Sequence, residues 1–161
     1  HLCDRRQRQM CIRDRCTPVQ VERYRNKLSG PFLDRIDLHV EMTEVGYEEI
    51  AGRSTGEPSA IIRQRVEVAR QRQRERYQTE GIQFNAQLTG DQINRFCPMT
   101  DQAQALVKRA FELLYMSARG YGRIRKVART IADLAGEETI GATHVAEALQ
   151  YRSLDKKYWG G

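Results

Sequence analysis

The sequence has no apolar run approaching the roughly 20 residues needed to cross a bilayer. It opens without a signal-peptide core, so a cytoplasmic location is expected and no membrane partner. Sulfur is scarce. The cysteines at positions 3, 11, 16 and 97 form no C-x-x-C pair and have no matching histidine spacing, so no metal site is expected and the thiols are read as reduced. A glycine-rich G-x-x-x-x-G-K-[ST] loop, whose backbone N–H groups and lysine cradle phosphates, is missing. Missing too is an apolar strand ending in Asp-Glu, which would hold magnesium and position water. Ile131-Ala132-Asp133-Leu134 sits inside a helical pattern and does not qualify. This chain alone is therefore not expected to hydrolyse ATP.

What is present is a modest core and an excess of arginine. Hydrophobic residues make up 40% of 161 residues, charged ones 30%, and the net charge is +6. Half of that excess lies in residues 1–15, where Arg5, Arg6, Arg8, Arg13 and Arg15 oppose Asp4 and Asp14. This stretch has no periodicity and is read as a disordered or non-native tail; the alternative is a basic arm for nucleic acid. Basicity elsewhere is mild, so bulk charge does not decide for a DNA partner.

Local pattern predicts mostly helix. Thr17 offers a cap and Pro18 suits the first helical position, predicting a short helix over 18–27 with Val21, Tyr24 and Leu28 on one side. Ser29-Gly30-Pro31 breaks it. Ile36, Leu38, Val40 and Met42 then alternate with Asp37, His39 and Glu41, predicting a strand over about 35–42 with one buried apolar face. Arg35 stands where the turn feeds that strand. The turn-rich run Gly52–Pro58 marks a boundary. A helix to about Tyr77 should follow, with Ile62, Val66 and Ala69 as a narrow apolar stripe. Arg63, Arg65, Arg70, Arg72, Arg74 and Arg76 lie mainly away from it, as a solvated face or as candidate DNA contacts. A loop over 81–90, a short helix before Pro98, and three well-phased helices complete the chain. Thr100 caps the first of these, which carries Ala103, Leu106, Val107, Ala110, Leu113 and Leu114. Ser117 caps the second, with Ile124, Val127, Ala128, Ile131 and Leu134, ending at Gly136. Thr143 caps the last, with Val145, Ala148 and Leu149. Each needs the others to hide its stripe, so this half should fold as a bundle. Lys126 and Arg129 are expected in solvent, Cys97 as a buried thiol, and His39 and His144 as structural rather than catalytic residues.

Four separated runs carry a resemblance: Leu-Ser-Gly-Pro-Phe-Leu-Asp-Arg-Ile-Asp-Leu-His-Val over 28–40, Ser117-Ala118-Arg119, Lys126-Val-Ala-Arg-Thr-Ile-Ala-Asp-Leu-Ala-Gly136, and His144-Val-Ala-Glu-Ala-Leu-Gln-Tyr-Arg152. In this order they resemble the magnesium-chelatase-like AAA+ ATPases of the ComM/YifB branch, over about residues 16–161. The resemblance implies an α/β remnant plus a mainly α part. Residues 16–46 would be the end of an AAA+ core (a short helix and a strand) and 47–161 its α-helical lid, with the nucleotide-binding half not in this chain. It implies Arg35 as an arginine finger acting in trans on a neighbouring subunit's ATP, and Arg119 as a sensor-2 arginine, with Arg123 a further nucleotide-binding candidate. Without the resemblance, Arg35 reads as a partner of Asp34 or Asp37. The resemblance further implies ATP and Mg2+ as cofactors of the intact protein and none for this chain alone. It implies a homo-oligomeric ring, a hexamer, and DNA branch migration in natural transformation. The alternatives are a magnesium-chelatase subunit I and a stand-alone helical module that binds nucleic acid or protein.

Overall fold

The computed structural model describes residues 17–25, 32, 35–40, 42, 45–47, 51–52, 56–114 and 116–152. The chain divides into two units, one ending at Arg35 and the other beginning at Ile36. The tail over 1–15, Cys16, Leu28 and Asp34 lie outside the described residues.

In the first unit, helix α1 spans Pro18–Arg25. Its start is fixed reciprocally: the Gln20 N–H donates to Thr17 Oγ1 at 3.4 Å, and the Thr17 N–H donates to Gln20 Oε1 at 2.8 Å. Arg35 sits in an exposed turn, its N–H bonded to the Phe32 carbonyl at 3.0 Å.

The second unit is helical. Helix α2 (Ser59–Arg76) is followed by a 3-10 turn (Asn85–Gln87) and by α3 (Gly90–Phe96), α4 (Asp101–Leu113), α5 (Ala118–Ala135) and α6 (Ala142–Gln150). The predicted caps account for two of these starts. Thr100 Oγ1 accepts from the Ala103 N–H at 3.2 Å, and Ser117 Oγ from the Gly120 N–H at 3.0 Å. Helix α6 starts two residues earlier than expected. Gly141 is its cap and Thr143 lies inside it, because His144 Nδ1 already accepts the Gly141 N–H at 3.0 Å.

Helix α5 is the axis of the bundle. It packs on α2, the 3-10 turn, α3 and α6, while α4 packs on α6. Ile124, Ala128 and Ala132 of α5 meet Val107, Val145, Ala148, Leu88 and Tyr77 in one buried cluster. Two linkers are stitched across the bundle by a parallel bridge between Met99 and Ile140, in which the Thr100 N–H reaches the Ile140 carbonyl at 3.0 Å. Helix α5 ends as predicted at Gly136, whose φ of 87° is the left-handed conformation that glycine adopts without cost.

Three expectations need correction. No strand forms among the described residues of 35–42, and the expected apolar face is not buried, with Ile36 only half-buried. Leu38, Val40 and Met42 are 49%, 62% and 84% exposed, whereas His39 is buried. A strand needs a neighbour for its backbone groups; here those groups go elsewhere, the His39 N–H to the Tyr151 carbonyl at 2.8 Å and the Ile36 carbonyl to Arg152 Nη1 at 3.3 Å. Second, Ile62 and Val66 are exposed, and only Ala69 and Gln73 of α2 are buried. That helix is held to α5 by polar side chains from its second half instead. Third, Arg129 is fully buried rather than solvated, and Lys126 is half-buried, donating to the Ala86 carbonyl at 2.9 Å.

Candidate functional site

The N-terminal end of α5 concentrates the features that anion recognition requires. Its first N–H groups stand at the positive end of the helix dipole, with Ser117 satisfying one of them. Arg119, in the first turn, is exposed and forms no hydrogen bond or ion pair among the described residues. One turn along the same face, the half-buried Arg123 forms an ion pair with Asp37. Asp37, one of the two partners considered for Arg35, is therefore engaged by Arg123. Residues 36–39, directly after Arg35 in sequence, are held by Arg123, by Arg152 and by the carbonyl of Tyr151. Beside the start of α5 opens a cleft of about 820 Å³, whose apolar lining includes Met99, Val107, Phe111 and Tyr121. Phe111 and Tyr121 meet edge to face with centroids 6.1 Å apart.

The opposite end of α5 uses charge for anchoring. Asp133 is fully buried, and its carboxylate collects four side chains. Arg76 reaches it at 2.5 and 3.0 Å, Asn85 at 2.8 Å, Arg129 at 3.0 Å and Gln73 at 3.3 Å. Burial alone pushes this carboxyl up; the hydrogen bonds from Arg76 and Asn85 and the charges of Arg129 and Arg76 outweigh it and hold the group below the usual carboxylate range. Arg129 also donates to the carbonyls of Glu137 and Glu138, tying off the turn after the helix. Arg125 does the same for α3, donating to the carbonyls of Ile93 and Cys97 at 3.1 Å each. The sequence reading missed this set. A signal existed: Arg125, Arg129 and Asp133 form an i, i+4 row immediately beside the apolar row of Ile124, Ala128 and Ala132.

The arginines of α2 have divergent fates. Arg72 donates to the Asp133 carbonyl at 2.6 Å, and Arg76 binds the Asp133 carboxylate. Arg70 lies over the Phe84 ring at 3.6 Å, Arg65 pairs with Glu57 at 2.6 Å, and Arg74 bonds Gln71. Arg63 is exposed and makes no such contact among the described residues. Cys97 is buried as expected, and burial pushes its thiol up. Among the described residues no cluster of His, Cys, Asp or Glu could hold a metal ion, and no helix is long and apolar enough to cross a membrane.

A capped central helix with a free arginine in its first turn, set in a five-helix bundle of described elements, matches one family by sequence as well. Residues 56–152 match the model of the magnesium chelatase subunit ChlI C-terminal family, and residues 3–50 that of magnesium chelatase subunit ChlI. The chain belongs to this magnesium-chelatase family, in its ComM/YifB branch, with the helical bundle as the C-terminal domain. The second match begins at residue 3, so it reaches into the stretch read above as a tail. Competence protein ComM of Haemophilus influenzae is 42% identical over 142 residues, 88% of this chain and 27% of its own length. YifB of Escherichia coli K12 is 39% identical over 145 residues, and YifB of Salmonella typhimurium 38% over 144, in each case 89% of this chain and 28% of the relative. The chain thus spans little more than a quarter of the curated relatives it matches.

Proposed function

We propose that this chain is the C-terminal part of a ring-forming, ATP-dependent DNA motor of the ComM type, and that it completes, rather than contains, the hydrolytic site. The observation that carries the reading is Arg119: an uncommitted guanidinium in the first turn of a Ser117-capped helix, on the best-anchored element of the bundle. Helix N–H groups, the dipole and a planar fork of donors all favour the same ligand, a phosphate. Its role in this reading is that of the sensor-2 arginine. Arg35, exposed at a turn, acts as the finger. Phosphoryl transfer spreads negative charge over the transferred group, and a guanidinium supplied across a subunit interface stabilises it, contributing on the order of 10³–10⁵ in rate. ATP and Mg2+ are held by the part of the motor not in this chain, which alone does not turn over ATP. The assembly is a homo-oligomeric ring, a hexamer, in the cytoplasm, and DNA is its track. The name of the Haemophilus relative, a competence protein, agrees with a role in DNA uptake or processing.

The test is a chimera in which this chain replaces the homologous segment of the Haemophilus ComM protein. Arg35→Ala should lower ATP turnover by about 10³ or more while fluorescent-ATP affinity stays within a few-fold; unchanged turnover refutes the finger. Arg119→Ala should weaken nucleotide affinity as well as turnover. Mixing Arg35→Ala subunits with subunits unable to bind ATP should restore turnover if the finger acts in trans. The family description favours a second reading, the magnesium-chelatase motor itself. Turnover stimulated by DNA supports the first; indifference to DNA supports the second.

A further inference from the structure

We infer that Arg123 is a positioning residue, and that its ion pair with Asp37 fastens the segment following Arg35 to the helix that carries Arg119. The inference rests on the reading of Arg35 and Arg119 given above, and it assigns Arg123 to that segment rather than to the nucleotide.

Residues 36–40 receive little help from their own apolar side chains, of which Ile36 is half-buried. Leu38 and Val40 face solvent, so burial contributes little to keeping this segment in place. Its fastenings among the described residues include three polar ones that come from the bundle. Arg123 of α5 takes the Asp37 carboxylate, Arg152 takes the Ile36 carbonyl at 3.3 Å, and the Tyr151 carbonyl takes the His39 N–H at 2.8 Å. Arg123 is the member of this set that lies on α5, four residues and one helical turn beyond Arg119.

With the Asp37 side chain 51% exposed, water screens this ion pair and makes it a poor device for stability. It is a good device for geometry. Two charged groups paired in this way define a fixed register between two backbone segments. A displacement of the start of α5, when Arg119 takes a phosphate, is therefore passed to Asp37. Nucleotide state at the lid and the hold on the segment that follows Arg35 in sequence become one variable, carried by a contiguous physical contact.

Two experiments test this. On the present chain, amide exchange at His39 should quicken at least tenfold in Asp37→Asn and in Arg123→Gln, while the amides of α5 around Ala128 keep their protection. Unchanged exchange at His39 overturns the fastening. In the chimera, Asp37→Asn and Arg123→Gln should each lower kcat about tenfold with KM within threefold, and the double variant should be no slower than either single one. The exchanged pair Asp37→Arg with Arg123→Asp should recover at least a third of the lost turnover. Additive losses, or no recovery on exchange, overturn the positioning role. Failure of this inference is distinguishable from failure of the function. If Arg35→Ala abolishes turnover but Asp37→Asn and Arg123→Gln do not lower it, the fastening alone is wrong. If Arg35→Ala leaves turnover intact, the finger itself is wrong.

Discussion

Asp133→Asn should be among the most damaging single-atom changes available in this chain. The substitution is isosteric, so it creates no cavity; what it removes is a charge that four side chains are arranged around. Arg129 has no exposed surface, and Arg76 keeps only 20% of its side-chain exposure. Neither can retreat to water without leaving the helix packing. The new amide also turns an N–H2 toward groups that are themselves donors, Arg76, Arg129, Gln73 and Asn85. Removing one partner of a buried ion pair costs about 3–5 kcal/mol, far above the 0–1 kcal/mol of an exposed pair such as Arg65 with Glu57. For a unit of this size that corresponds to a fall in Tm of roughly 12 °C or more. Urea denaturation followed by circular dichroism measures it, with Glu57→Gln as the control. A loss below about 1 kcal/mol, at unchanged m-value, would refute the claim that the hub is what joins α2 to α5. The pH dependence gives a second check. Because the Asp133 carboxyl is lowered in the folded state, its contribution is present above the unfolded carboxylate value, about 4. It is lost as pH falls through the folded value, so the wild-type chain should have a steep acid limb below pH about 4 that Asp133→Asn lacks.

Gly136→Ala places a Cβ in a left-handed residue and 3.1 Å from the Arg72 guanidinium. It should cost about 1–2 kcal/mol, read by the same denaturation, and a neutral result would contradict the backbone geometry. Ser117→Ala removes the cap that precedes Arg119 and should cost about 0.5–2 kcal/mol; Ser117→Asp should retain most of that. With the other three cysteines changed to serine, Cys97 should resist a thiol reagent in the native state and react only on unfolding, because it is fully buried and its thiol is pushed up. Rapid native labelling would place that side chain at the surface.

The bundle was legible because its signals are local. A cap and an i, i+3, i+4 stripe both lie within one helix, and Thr100, Ser117 and Gly136 each specify an end through their own backbone chemistry. Position in the sequence also placed Arg119 at the start of a helix. The segment after Arg35 was misread for the opposite reason. Alternation predicts a strand only when a neighbour supplies the other half of the hydrogen bonds, and the pattern of Ile36 to Met42 says nothing about whether one is present. The arginines failed in a third way. A charge row beside an apolar stripe is the same string of letters whether water or a buried carboxylate meets it. Arg129 was assigned to water because its partner Asp133, one turn away, was read only as a mismatch to a magnesium-binding strand.

The two ends of α5 therefore answer different physical demands with the same residue type. At the C-terminal end, Arg129 and the incoming Arg76 are desolvated and fixed on one carboxylate, and Arg72 adds a bond to the last turn. At the N-terminal end, Arg119 is exposed, and Arg123 is half-buried against a carboxylate that is itself half in water. Fourteen residues separate Arg119 from Asp133, about 21 Å along a helix. The phosphate-seeking group thus stands at the end of the helix that the buried Asp133 carboxylate does not anchor. This arrangement makes a separable prediction. Arg119→Ala should leave the denaturation midpoint within experimental error yet weaken nucleotide affinity in the chimera. Arg76→Met should lower the midpoint sharply while the folded remainder binds nucleotide as before. If instead Arg119→Ala destabilised the bundle as much as Arg76→Met, the N-terminal end would be a second anchor.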